Sequence, residues 1–181
     1  MMTEQQSSIY WSLFEQDNWS LHIAATSTGL CFIGSNQESY DELSKWAGTR
    51  FPGVKPIRND EELKSYKSQL ANYLAGNRSA FTAPSDLRGT TFQLEVWNAL
   101  MTIPYGATSS YSEIATQIGR PSAVRAVGAA IGANPILIIV PCHRVIGKSG
   151  FLTGYRGGLE MKSTLLELEQ SDSTSQLQSH I

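Results

Sequence analysis

Apolar and polar positions first alternate through Trp19, Leu21 and Ile23, and this period of two predicts a strand with one buried face. "GLCFIGS" follows a Ser-Thr-Gly turn, so the two segments together predict a hairpin. Cys31 lies between Leu30 and Phe32 in the second segment and is expected to be a core cysteine. The period then lengthens. "ESYDELSKWAG" predicts a short helix ending at Gly48. In "NDEELKSYKSQLANYLAG", Leu63, Tyr66, Leu70, Tyr73 and Leu74 form an apolar stripe, with Asn59 placed to cap the helix and Gly76 to close it. "NRSAFTAPSDLRG" carries no period, and a domain boundary is expected within 77–89.

Past that boundary come short helices with marked ends. Thr90 and Gln93 have the spacing of a capping box, for a helix through Val96, Trp97, Leu100 and Ile103 that Pro104 stops. Ser110 and Glu113 repeat the spacing, for a helix ending at Gly119. Pro121 suits the first turn of a third, "PSAVRAVGAAIG". Two short helices around a Gly-Arg-Pro turn are helix-turn-helix-like. "ILIIVPCHRVIG" opens on five apolar residues that read as a buried strand. "SGFLTGYRGG" is a glycine-rich loop, and "LEMKSTLLELE" predicts a last helix with Leu159, Leu165, Leu166 and Leu168 inward. The tail "QSDSTSQLQSHI" is polar and expected to be disordered. The chain thus divides into an α/β domain (1–88), an all-helical domain (89–170) and a tail (171–181).

Composition narrows the class. The apolar fraction, 41%, is ordinary for a globular protein. No apolar run approaches the roughly 20 residues of a membrane helix, and "MMTEQQSSIYW" does not resemble a signal peptide. Two cysteines without a CxxC argue against a disulfide framework, so a reducing cytoplasm is the expected compartment. Cys31, Cys142, His22, His143 and His180 lack paired zinc-ligand spacing, and neither metal nor cofactor is expected. The net charge of −2 argues weakly against a nucleic-acid partner, but its distribution does not. Residues 1–118 carry eight basic and twelve acidic residues, whereas 119–162 carry six basic residues against Glu160 alone. Such a basic field can hold phosphates even on an acidic protein.

The third predicted helix presents Ala123, Ala126, Gly128 and Ala129 where a major-groove reader would carry Asn, Gln or Arg. Small side chains permit close backbone approach, either to another helix in a core or to a narrow minor groove. In "PCHRV", Cys142 has a base and a cation directly behind it. A cysteine attacks as its thiolate and needs such help. Neighbours in a strand point apart, however, so Cys142 and His143 cooperate only if the chain bends or water bridges them. The histidine also needs an orienting carboxylate, for which Glu160, Glu167, Glu169 and Asp172 are the candidates. As an isolated dipeptide, Cys-His favours a buried structural cysteine beside a surface histidine.

The dipeptide is not isolated. "IPYGATSSYSEIA", "AVRAVGAAIGANP", "IIVPCHRVIG" and "LTGYRGGLEMKSTLLELE" resemble, in order and spacing from about Gly89 to Glu169, the successive motifs of the O6-alkylguanine-DNA alkyltransferases. "GLCFIG" and "LANYLAGNRSAF" are similar more loosely. The resemblance implies a ribonuclease-H-like N-terminal domain and a winged-helix-like C-terminal domain with a helix-turn-helix. It implies a monomer that binds double-stranded DNA containing O6-alkylguanine. The alkyl group of that base, or of O4-alkylthymine, would move irreversibly onto Cys142.

By the same resemblance, His143 deprotonates Cys142 through a water, Glu169 orients His143, and Asn134 holds the preceding turn. Tyr111 donates a proton to guanine N3. Arg125 fills the stack vacated by a flipped nucleotide, which explains the small-residue face as a minor-groove surface. Ile131, Val145, Tyr155 and Arg156 line the base pocket, with the carbonyls of Cys142 and Val145 receiving the exocyclic amine. The N-terminal zinc site of some members lacks its ligands here, since only Cys31 lies in that region. Arg156 stands where other members can carry Ser. Three rivals remain: a non-catalytic sensor, which would lack Cys142; a Cys-His-Glu hydrolase, which would turn over; and a regulator of intact DNA.

Overall fold

The computed structural model describes residues 8–77 and 80–178, with side chains of the last helix up to Asp172. Four strands form one sheet in the order β3-β2-β1-β4: β1 (Tyr10–Gln16), β2 (Trp19–Ala25), β3 (Leu30–Ile33) and β4 (Ile57–Arg58). β1–β2 and β2–β3 are antiparallel, and β4 joins β1 in parallel. The predicted hairpin is β2–β3. The strand β1 is an addition to the expectation. Its alternation is masked because both faces carry aromatic or apolar side chains, with Trp11 against Tyr40 and Phe14 in the core.

Apolar clusters cover both faces of the sheet. On one side Ala24, Cys31 and Phe32 pack with Leu43 and Ala47 of α1 (Tyr40–Arg50). Cys31 is a core cysteine as expected, and burial pushes its thiol up to about 12. The helix runs through Gly48 rather than ending there. On the other side Leu21, Ile23 and Ile33 meet Leu70, Tyr73 and Leu74 of α2 (Lys64–Leu74). Asn59 caps a turn ahead of α2, accepting from the Glu62 amide, and Gly76 closes the helix at φ 76°.

That second cluster continues without a break into the C-terminal half. α3 (Thr91–Leu100) and α4 (Tyr111–Gln117) both start at the expected capping boxes, on Thr90/Gln93 and Ser110/Glu113. Gly119, at φ 72°, follows the end of α4. α5 (Val124–Gly132) begins later than Pro121, which lies in the turn before it. Fully buried Trp97 joins α3 to α5 by donating to the Ala130 carbonyl at 2.8 Å.

Three expectations are corrected. The C-terminal half is not wholly helical, because β5 (Ser109–Ser110) pairs in parallel with β6 (Val145–Ile146). The last helix, α6 (Leu159–Gln178), runs into the segment expected to be disordered, where Tyr105 donates to Asp172 at 2.6 Å. Residues 179–181 of that tail lie outside the described residues. Leu159, in the first turn of α6, is 50% exposed rather than inward.

The free edge of β3 meets the segment leading to α3 and, at Ile33, the C-terminal half. Leu30 donates to the Pro84 carbonyl and accepts from Asp86, and Ile33 donates to the Pro135 carbonyl. Edge groups that would otherwise be open are thereby paired. At Gly29 a Cβ would lie 2.6 Å from the Pro84 carbonyl oxygen, so the close approach there requires glycine.

Candidate active site and nucleic-acid interface

The segment from Ile136 to Val140 is buried but is not a strand. It bridges β3 at Ile136 and then turns, with Ile138 at φ 72°. Left-handed backbone is costly for a β-branched residue and persists only where the surroundings impose it. Asn134 supplies that constraint. Its Nδ2 donates to the Val140 carbonyl at 2.9 Å and to Cys142 Sγ at 3.0 Å, while its Oδ1 accepts from the Ile136 amide at 3.0 Å. After Pro141 the chain enters a single 3-10 turn, Cys142–Arg144, which is the bend that cooperation between adjacent residues requires.

Cys142 is 3% exposed. Burial raises its thiol above the ordinary range, opposed by the Asn134 hydrogen bond and by the charges of Arg156 and Lys162. His143 is fully buried, with Nε2 2.9 Å from Glu169 Oε1. Burial lowers its basicity more than the carboxylate restores it, so it is neutral. A neutral ring that donates from Nε2 to a carboxylate has its lone pair on Nδ1. Among the described residues that Nδ1 is buried with no hydrogen-bond partner, and so is Tyr155 Oη. Unpaired buried polar atoms cost roughly 1–3 kcal/mol each, which makes them markers of chemistry.

Of the four carboxylates offered by the sequence, the fold brings Glu169 to this histidine. Burial opposes its ionisation, yet hydrogen bonds from His143, Arg144 and Tyr73 outweigh that and hold it at about 2. Arg144 reaches both oxygens, at 2.7–3.2 Å, and donates to the Ile103 carbonyl. Tyr73 Oη donates to Oε1 at 2.5 Å. Tyr73 was legible only as part of a helix stripe, since its partner is 96 residues away. Lys162 also escaped notice. It is fully buried and donates to the carbonyls of Val145, at 2.6 Å, and Thr153, at 3.1 Å. Burial lowers its basicity.

Tyr111, the first residue of α4, shares a 2.7 Å hydrogen bond with the Thr153 hydroxyl. Gly128 faces its ring. On α5 the side chains of Arg125, Ala126 and Ala129 are exposed and Ala123 is half-buried, while Val127, Ala130 and Ile131 are in the core. The small residues at 126 and 129 therefore do not serve helix packing. Arg125 has no partner among the described residues. Ile131 packs inside, behind the exposed face of α5.

Arg156 is not a free rim residue. Its guanidinium donates to the carbonyls of Ile33, Asn134 and Pro135, pairs with Glu42 at 2.5 Å, and lies over the Phe32 ring at 5.2 Å. It clamps the pocket loop to the N-terminal sheet. The following Gly157 admits no side chain, since a Cβ there would lie 2.5 Å from Met161 Sδ and 2.7 Å from Tyr155 Cε1.

Residues 9–87 match the family model for the 6-O-methylguanine DNA methyltransferase ribonuclease-like domain, and residues 91–171 match that for the DNA binding domain of the same family. The inducible methylated-DNA–protein-cysteine methyltransferase of Bacillus subtilis is 54% identical over 173 residues, covering 96% of this chain and 97% of that one. The chain belongs to the 6-O-methylguanine DNA methyltransferase family. The Mycobacterium tuberculosis O6-methylguanine methyltransferase superposes with a TM-score of 0.79 at 43% identity, covering 91% of this chain and 94% of the other. A second structure, of the Mycobacterium tuberculosis OGT in complex with DNA, gives 0.75 at 44% identity, covering 90% and 94%.

Proposed function

We propose that this chain is a methylated-DNA–[protein]-cysteine S-methyltransferase that repairs alkylated DNA by direct reversal, with Cys142 as the acceptor. The observation that carries this assignment is the arrangement at Cys142. A buried thiol is fixed by Asn134, and an adjacent neutral His143 keeps a free lone pair and is oriented by an ionised Glu169.

In the step itself, the thiol proton passes to His143 Nδ1, directly or through one water. Sγ attacks the alkyl carbon as its bond to O6 breaks. The electron pair flows into the purine, and a proton reaches N3 from Tyr111. The S–C bond is stable, so each molecule acts once. Glu169 keeps the Nε2 proton in place and stabilises the imidazolium that forms.

The alkyl group of a stacked base is inaccessible to a buried thiol, so the nucleotide is flipped out of the duplex. We read α4 and α5 as a helix-turn-helix within a winged-helix-like domain that meets the minor groove. Exposed Ala126 and Ala129 permit close approach, and unpartnered Arg125 enters the stack. The flipped base would lie against Tyr155, near the carbonyls of Cys142 and Val145. Site residues Ala123, Gly128, Ile131 and Arg156 then support this surface and pocket from behind. A monomer on double-stranded DNA containing O6-alkylguanine suffices for this chemistry. Both cysteines are free, which fits a reducing cytoplasm.

Incubation with a duplex carrying a radiolabelled O6-methyl group tests the proposal. Label should move to protein with a ceiling of one equivalent. Label left on DNA would indicate a sensor, and many equivalents of released label would indicate a hydrolase.

A further inference from the structure

The relay at Cys142 is built from the C-terminal half, with one exception. Tyr73 comes from α2, is fully buried, and places Oη 2.5 Å from Glu169 Oε1 and 3.5 Å from His143 Nε2. Its ring is held by Phe81, at 5.3 Å between centroids, and edge-on by Tyr105, at 6.1 Å. We propose that Tyr73 is a positioning residue for alkyl transfer, acting through Glu169 to keep the Nε2 proton on His143 and its lone pair on Nδ1. This rests on the reading of Cys142 as the acceptor.

The donor count at Glu169 supports it. Oε1 receives His143 Nε2, Tyr73 Oη and Arg144, and Oε2 receives Arg144 and, at 3.4 Å, the Gly106 amide. A carboxylate so surrounded is a poor base. It attracts the imidazolium without taking its proton. Tyr73 serves only as a donor, because burial and the Glu169 charge both raise its phenol far above the ordinary range. Among the described residues, Glu169, Arg144 and Lys162 act on His143 electrostatically, and the Cys142 thiol adjoins it in the same turn. Tyr105, which also meets Tyr73, donates to Asp172. Tyr73 is therefore a neutral donor to Glu169 that comes from the N-terminal domain.

Tyr73→Phe removes a single oxygen and keeps the ring packing. Without that donor Glu169 becomes more basic and stabilises the imidazolium, so His143 holds its proton to higher pH. On the acid limb, where more His143 is then protonated, single-turnover transfer from an O6-methylguanine duplex should slow about three- to tenfold, with little change well above it. The acid limb of its pH profile should move upward by about half to one unit. Binding of the duplex should be unchanged.

Nitrogen NMR of histidine-labelled protein gives a readout independent of activity. Wild type should show His143 protonated at Nε2 alone, and the variant should take up its second proton at higher pH. An unshifted acid limb and an unshifted onset of His143 protonation, with or without a lower Tm, would overturn the proposal. If wild-type protein itself takes no label on Cys142, the underlying reading fails instead.

Discussion

Glu169→Gln isolates the electrostatic centre of the site. Gln keeps the shape of Glu but removes the charge that Arg144 and His143 face, and its amide nitrogen must point at one set of donors. Glu169 and Arg144 are 1% and 9% exposed at their side chains, so solvent cannot replace the lost partner. Breaking one member of a buried ion pair costs about 3–5 kcal/mol. For a chain of this size each kcal/mol moves Tm by about 2–4 °C, so a fall of about 6–20 °C is expected at pH 7.

The pH dependence provides a second signature. A carboxylate held at about 2, against about 4.3 when unfolded, contributes stability that is complete above the unfolded value. That stability is lost as pH falls through the folded value. Urea titrations of both proteins should thus show a constant gap from pH 7 to about 5, narrowing below about 4. Equal stability at pH 7, or a gap that widens on acidification, would refute the reasoning.

Other outcomes follow from the same geometry. Cys142→Ala and Cys142→Ser should take no label yet still bind methylated duplex, because the buried Cys142 is not placed to hold phosphates and a hydroxyl is far harder to deprotonate than a thiol. Arg125→Ala should lose about tenfold or more on duplex, with poor rescue by Lys and a smaller loss on single strands. Equal losses on both substrates would place Arg125 in the fold instead. A double-mutant cycle on Glu42→Ala and Arg156→Ala, read by urea unfolding, should return a coupling of about 1–3 kcal/mol. A coupling near zero would mean that the clamp on the pocket loop does not stabilise it. Because burial raises the Cys142 thiol, its alkylation by iodoacetamide should keep accelerating beyond the ordinary thiol range near about 8.5, and a plateau below that would contradict the balance described.

Features set by near neighbours were legible in the sequence. The capping boxes at Thr90 and Ser110 depend on residues three apart, and both formed as read. The hairpin from Trp19 to Ile33 likewise follows from alternation and one turn. The run before Cys142 misled because burial on all sides looks like a central strand. Its real shape depends on Asn134 side-chain bonds and on the β3 edge, neither of which has a periodicity. Glu169 was found by motif and then placed by the fold against a histidine 26 residues away. Tyr73 and the Glu42–Arg156 clamp join residues 96 and 114 apart, and nothing local distinguishes them from an ordinary core tyrosine and surface charges.

The central claim is that Cys142 itself receives the alkyl group. Mass spectrometry of protein incubated with an O6-methylguanine duplex tests it most directly. One added methylene per molecule, found on the peptide containing Cys142 and absent from Cys142→Ala, is the predicted result. An unmodified protein, or the added mass on Cys31 or another residue, would contradict it.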